Sequence, residues 1–321
     1  MLVYLLFIVG FVLLILGADW LVEGSASIAR KYRIPNVVIG LTIVALGTSS
    51  PELVVNLIAS FKGAADVAMG NVLGSNISNV LLILGISALI YPLAFNSNTK
   101  WKEAPLAILA ALILGVLAND RLFDGIEVSK IYRSDGIVLV AFFVLFMYYA
   151  FSIARLNETH PSIPGKVHPA WLSAVMILGG ITGLILGGKW IVEGAVQVAT
   201  LLGMSESTIS LTIVAVGTSL PELATCVAAA LKKNPGIVIG NIIGSNIFNI
   251  FFVLGLSATI RPLPFNPELN FDILIGIFAS VLLFGFMLFS GKRTLHRWQG
   301  GVLLLLYLIY LGFLLWKEGL I

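Results

Sequence analysis

The sequence predicts an all-α integral membrane fold: ten transmembrane helices in two inverted-topology repeats of five, with helices 2 and 7 broken at the midplane. Three observations carry this prediction. Hydrophobic residues make up 59% of the 321 and charged residues 11%, whereas a soluble domain is about one quarter charged; the mean hydropathy is +1.03. Apolar runs of about 20 residues recur, the length that crosses a hydrocarbon core of about 30 Å as a helix. The second half of the chain also repeats the first at an offset of 170 residues.

The apolar runs place spans at 2–28, 35–61, 67–91, 104–119, 136–154, 170–200, 205–231, 237–260, 271–290 and 298–316. They are too long and too uniformly apolar for barrel strands, and lipid-facing backbone has to satisfy its own hydrogen bonds, so helices are expected. The opening MLVYLLFIVG has no basic region and no small-residue cleavage site, and reads as the first span and not a removed signal. Asp120, Asp124, Glu127 and Asp135 fall in a polar loop after span 4 and read as solvated. The stretch NETHPSIPGKVHP at 157–169, with three prolines and a glycine, is a cytoplasmic linker between repeats at 1–156 and 170–321. Odd-numbered loops carry twelve Lys and Arg, against six in even-numbered loops and tails. The positive-inside rule then puts both termini outside a multi-pass protein of the plasma or inner membrane.

The repeat is close. LTIVALGTSSPEL at 41–53 and LTIVAVGTSLPEL at 211–223 share 11 of 13 residues, and GNVLGSNISN at 70–79 and GNIIGSNIFN at 240–249 share 7 of 10. Five spans per half is an odd number, so the second half must cross the bilayer in the opposite sense. Secondary transporters are built this way, with substrate sites near the midplane between the repeats.

Other chemistries lack their residues. Lys and Arg form no basic stripe for nucleic acid, and no Gly-Lys-Ser/Thr phosphate loop indicates ATP. One cysteine, Cys226, excludes an intramolecular disulfide framework, and His160, His168 and His296 all lie in polar stretches. A membrane hydrolase would need a base beside Ser49 or Ser219, and the sequence places only Glu near them.

The repeated polar motifs fall at span centres. A carboxylate there costs about 2.5–3.5 kcal/mol on the lenient insertion scale, so Glu52 and Glu222 mark an interior ion path. Pro51 and Pro221 cannot donate to the carbonyls of Gly47 and Gly217 four residues earlier, so both helices should break at these points. Broken helices expose carbonyl oxygens to cations, and Thr48, Ser49, Thr218 and Ser219 add hydroxyls. Asn71, Ser75 and Asn79 share one helix face, and Asn241, Ser245 and Asn249 repeat it. Gly70 with Gly74, and Gly240 with Gly244, allow close helix approach. Blander readings stand beside these. Ser49-x-x-Glu52 and Ser219-x-x-Glu222 also fit capping boxes. The Asn and Ser stripes, Asn76 and Asn246 included, also fit plain helix association. Glu23 and Glu193 read as interfacial, Asn56 as packing, and Asp19 as a structural partner of the aligned Lys189.

All the candidate donors are oxygen, which suits Ca²⁺ with its 6–8 flexible oxygen ligands. Two carboxylates are offset by one Ca²⁺ or by two Na⁺ but not by both sets, and that competition is the physical basis of exchange. Protons are a third competitor for an empty carboxylate pair. A passive cation channel could use the same oxygens without counter-transport.

The paired GTSxPE and GNxxGSNIxN motifs resemble the cation/calcium exchanger superfamily, and within it the compact prokaryotic sodium/calcium exchangers, over nearly the whole chain. The resemblance implies that spans 1 and 6 slide past a core of spans 2, 3, 7 and 8, in a protein that acts as a monomer with no cofactor. It implies ion ligands at Thr48, Ser49, Glu52, Ser75 and Asn79, and at Thr218, Ser219, Glu222, Ser245 and Asn249. It adds the carbonyls of Ala45 and Ala215. Sodium-coupled members often carry Asp at the last position of one GSNIxN motif, whereas Asn79 and Asn249 are both Asn here. The expected activity is Ca²⁺/Na⁺ antiport, with H⁺/Ca²⁺ antiport as the alternative.

Overall fold

A computed structural model describes residues 2–123, 125, 128–155, 166–201, 215–291 and 293–317. Asp124, Glu127, residues 157–165 of the expected linker, and residues 205–214 of the seventh expected span lie outside them. The described chain is almost wholly helical. In order it runs α1 (Leu2–Tyr32), α2 (Asn36–Thr48), α3 (Ser50–Lys62), α4 (Ala65–Ile90), α5 (Ala104–Leu117), the short α6 (Asp120–Phe123) and α7 (Arg133–Arg155). Then come α8 (Ala170–Leu201), α9 (Ala215–Thr218), α10 (Leu220–Leu231), α11 (Pro235–Ile260), α12 (Asn270–Phe289) and α13 (Arg297–Lys317). Among the described residues seven helices (α1, α4, α7, α8, α11, α12 and α13) are long and apolar enough to cross a membrane, and α2 with α3 makes an eighth as one bent span.

The fold is layered around α4 and α11. In their most apolar stretches, 72% of α4 and 94% of α11 is buried, against 22% for α8, α12 and α13. Outer helices expose apolar side chains such as Leu178, Leu274 and Leu305, as a lipid-facing surface requires. The Asn and Ser stripes ride on the two central helices and are therefore shielded from lipid.

Helix α1 packs on α8 backbone to backbone. A Cβ at Gly17 would lie 2.8 Å from Gly180 O, and one at Gly180 would lie 2.7 Å from Gly17 O; Gly10 and Gly187 repeat the arrangement. Contacts whose residue numbers always sum to the same value describe an antiparallel pair. That register corrects one expectation. Asp19 stands level with Leu178, eleven residues from Lys189, or about 16 Å along the axis at the usual helical rise. Asp19 pairs instead with Lys232 at 2.7 Å, and Lys189 approaches Glu193 at 3.8 Å within its own helix. Glu23 is bonded by Arg30 at 3.0 Å and lies 3.7 Å from Lys232.

Two features have no counterpart in the periodicity of the sequence. The helices are widened into π turns at Gly40–Val44, Asn79–Ile83, Thr99–Glu103 and Phe248–Leu254. Such turns are common at functional sites, and here two of them contain Asn79 and Asn249. Two-residue antiparallel strands also join distant loops: β1 (Leu93–Ala94) pairs with β4 (Thr294–Leu295), and β2 (Lys130–Ile131) with β3 (Leu263–Pro264). They are too short to show an alternating pattern.

Candidate functional site

The two breaks have the same local geometry. Between α2 and α3 the chain turns by 47° at Ser49, whose φ and ψ are −85° and 10°. Ser219, between α9 and α10, has −88° and 5°. Pro51 and Pro221 sit in the first turn of the following half-helix, where the missing N–H costs nothing. Backbone bonding resumes at once, with Leu53 N donating to Ser49 O at 3.2 Å and Leu223 N to Ser219 O at 3.0 Å. Neither Ser49 nor Ser219 makes a side-chain cap bond, so the capping-box reading does not describe their hydroxyls.

Those hydroxyls instead reach across the molecule. Ser49 Oγ donates to Glu222 Oε1 at 2.8 Å and lies 3.0 Å from Ser245 Oγ. Ser219 Oγ is 3.2 Å from Ser78 Oγ. Ser75 Oγ donates to Glu52 Oε1 at 3.3 Å, and Thr48 Oγ1 to Asn241 Oδ1 at 3.1 Å. The Ala45 carbonyl accepts from Ser49 N at 3.0 Å and lies 3.4 Å from Thr48 Oγ1. Thr218 is partly exposed, and the backbone of Ala215 opens α9. Glu52, Glu222, Thr48, Ser49, Ser245, Asn79 and Asn249 are completely buried, and Ser219 and Ser75 nearly so.

Among the described residues, Glu52 Oε2, Glu222 Oε2, Asn79 Oδ1 and Asn249 Oδ1 find no hydrogen-bond donor. A buried acceptor without a donor is costly, and two of these belong to carboxylates, which are dearer still. Each carboxylate is held by a serine through one oxygen and presents the other. Among the described residues no three His, Cys, Asp or Glu side chains come together, so neutral oxygens must complete any coordination around the two carboxylates.

The sequence left some of the cluster unassigned. Asn76 and Asn246 were open to a packing role, yet they bond each other across the centre of the molecule: Asn76 Nδ2 donates to Asn246 O at 3.2 Å, and Asn246 Nδ2 to Asn76 O at 3.3 Å. Asn241 is held by Cys226, with Nδ2 3.3 Å from Sγ. Asn56, read as packing, donates to Ala68 O at 3.0 Å and accepts from Asn71 Nδ2 at 2.6 Å. The signal available was the presence of Asn76 and Asn246 in both halves. A duplicated amide at a span centre has to satisfy its polar groups in both copies.

The profile of the family described as sodium/calcium exchanger protein matches residues 2–152 and 172–316. The sodium/calcium exchanger MaX1 of Methanosarcina acetivorans is 31% identical over 344 residues, covering 96% of this chain and 97% of its own. The inner membrane protein YrbG of Escherichia coli (strain K12) is 37% identical over 323 residues, covering 97% and 96%. A solved structure of the sodium-calcium exchanger NCX_Mj, soaked with 2.5 mM Na⁺ and 0.1 mM Ca²⁺, superposes with a TM-score of 0.84 at 34% identity, covering 97% of this chain and 98% of that one. With its profile matched over nearly the whole length and relatives above 30% identity along it, the chain belongs to the sodium/calcium exchanger protein family.

Proposed function

We propose that this protein is a secondary active antiporter that exchanges Ca²⁺ for Na⁺ across a cell membrane by alternating access. One observation carries the reading: two carboxylate and two amide oxygens, all buried in the centre of the bundle, have no donor among the described residues. Acceptors of this kind are satisfied by cations, and hard oxygens around a flexible perimeter suit Ca²⁺ and Na⁺ over softer metals. The names of the family and of MaX1 and NCX_Mj support the same pair of ions.

The ligand set is Glu52, Thr48, Ser49, Ser75 and Asn79 from one half, and Glu222, Thr218, Ser219, Ser245 and Asn249 from the other, with the carbonyls of Ala45 and Ala215. Two carboxylates hold one Ca²⁺ or the Na⁺ ions that replace it, and this mutual exclusion couples the two flows. The framework is ten spans in two inverted repeats, 1–156 and 170–321, joined by a cytoplasmic linker, with both termini outside and a single chain as the working unit. Reciprocal contacts at the sequence offset support the two-fold relation, since Asn76 meets Asn246 and each makes the bond the other makes. The glycine-lined α1 and α8 pair, ringed by apolar surface, is the element that moves over the core. One observation favours H⁺/Ca²⁺ antiport as the second reading: Asn occupies both 79 and 249, so Glu52 and Glu222 are the only carboxylates described in the cluster.

The test is ⁴⁵Ca²⁺ uptake into proteoliposomes loaded with Na⁺ and diluted into Na⁺-free buffer, at equal pH inside and out with protonophore present. Uptake that requires internal Na⁺ is the expected result. Uptake that ignores Na⁺ and follows an imposed pH gradient, with protonophore omitted, moves the protein to the proton-coupled reading. Calcium flux with no counter-ion dependence makes it a channel.

A further inference from the structure

We infer that Asn76 and Asn246 are positioning residues that fix which end of the Asn249 and Asn79 side chains faces the transported ion. This rests on the proposed ion site. An asparagine at an ion site has an ambiguity that an aspartate lacks: one end of its amide is an acceptor and the other a donor, and rotation by half a turn about the terminal bond exchanges them. An Asn serves a cation only if its oxygen is held toward it.

The polarity is set by atoms that cannot flip. Asn246 O is a backbone carbonyl and can only accept, so the end of Asn76 that meets it at 3.2 Å must be Nδ2. Asn76 Oδ1 then faces the other way, and the group it meets at 3.1 Å must be a donor, which is Asn249 Nδ2. Asn249 Oδ1 is therefore turned out of this chain and is one of the four unpartnered oxygens. The other half does the same. Asn76 O accepts from Asn246 Nδ2 at 3.3 Å, Asn246 Oδ1 accepts from Asn79 Nδ2 at 3.0 Å, and Asn79 Oδ1 is left unpartnered. Two carbonyls at the centre of the bundle thus orient four amides. Asn249 Nδ2 also lies 3.2 Å from Ser75 Oγ. That leaves the Ser75 proton to go to Glu52 Oε1, as observed at 3.3 Å, so the same relay presents one carboxylate.

All four asparagines are at least nine-tenths buried, so their amide ends are oriented chiefly by one another and by the two carbonyls. Without the Asn76 side chain, Asn249 keeps only the Ser75 hydroxyl, which can donate as well as accept, so the amide can turn its NH₂ toward the cation. Groups that orient metal ligands typically affect affinity by about 10- to 100-fold. An aspartate in place of Asn249 presents oxygen at either end and has no orientation to lose. It would also set oxygen against Asn76 Oδ1, so removing Asn76 relieves a repulsion.

The experiment is a double-mutant cycle. Asn76→Ala is made in the natural chain and in the Asn249→Asp variant, and the half-saturating Ca²⁺ and maximal rate of Na⁺-driven ⁴⁵Ca²⁺ uptake are measured. Equilibrium ⁴⁵Ca²⁺ binding to the same purified variants serves as a readout that needs no turnover. In the natural background Asn76→Ala should weaken Ca²⁺ binding about tenfold or more. In the Asn249→Asp background it should cost nothing or strengthen binding. Equal weakening in both backgrounds assigns Asn76 to packing and overturns the inference, as does no weakening in either. If Glu52→Gln leaves Ca²⁺ binding unchanged, the ion site itself is elsewhere, and the two failures are told apart.

Discussion

Glu52→Gln is expected to abolish sodium-driven calcium uptake, and so is Glu222→Gln, while both variants should remain folded and become more heat-stable in calcium-free detergent. Glutamine keeps the shape of the side chain and an oxygen for the Ser75 or Ser49 hydroxyl. It replaces the unpartnered Oε2 with an NH₂ that points donors at the cation, and it halves the carboxylate charge. Removing one member of a buried, hydrogen-bonded charge pair costs about 2–5 kcal/mol, or about 30- to 4000-fold in affinity. Stability moves the other way, because an ion-free carboxylate at mid-bilayer costs about 2.5–3.5 kcal/mol that the amide largely avoids. Lost activity with a raised melting temperature is a combination that misfolding cannot produce. The measurements are ⁴⁵Ca²⁺ uptake in proteoliposomes and thermal unfolding followed by size-exclusion fluorescence. Wild-type flux in Glu52→Gln would remove this carboxylate from the ion path.

How far the sequence revealed this arrangement depended on whether a residue's cost was visible without its partner. Glu52 and Glu222 were legible because a charge at a span centre is expensive wherever its neighbours lie, and Pro51 and Pro221 because a missing N–H acts locally. The seven long apolar helices, and the bent α2–α3 pair, were legible because hydropathy is a property of each segment alone. Asn76 and Asn246 were not, since an amide that fastens two helices and one that orients a ligand look alike until the carbonyl 170 residues away is found. The π turns at Asn79–Ile83 and Phe248–Leu254 were hidden for a related reason: one extra residue in a turn leaves the apolar content unchanged. The expected Asp19–Lys189 pair failed because equivalence in a repeat was taken for proximity. The antiparallel packing of α1 on α8 carries equivalent residues apart everywhere except near the crossing point.

Gly240→Ala should disrupt the protein more than any other single methyl addition in α11, and the reason lies in how α2 is seated. Gly240 faces the π turn of α2: a Cβ there would stand 2.9 Å from both Gly40 Cα and Leu41 N, and closer still to Val37 O. These are backbone atoms, so no rotamer change makes room, and α2 as a whole has to withdraw from α11. Gly244, one turn along, would meet Leu41 O at 2.7 Å, so the same helix cannot pivot about that point to escape. Overpacking of a well-filled core costs about 1–3 kcal/mol when side chains can yield, and a backbone collision belongs at or above the upper end. Function suffers beyond stability, because Thr48 and Ser49 at the end of α2 reach Asn241, Ser245 and Glu222 over 2.8–3.1 Å. A shift of about 1 Å breaks all three bonds by the geometric limits of hydrogen bonding. The control is Gly312→Ala on α13, where nothing among the described residues lies within 4 Å of the added methyl. Gly70 and Gly74 on α4 show no close neighbour among the described residues either, but they stand beside Asn71 and Ser75 and are no control. Gly240→Ala should lower the melting temperature by several degrees and remove most calcium uptake, while Gly312→Ala changes neither. If the two variants behave alike, the close seating of α2 on α11 does not hold the ion ligands in place.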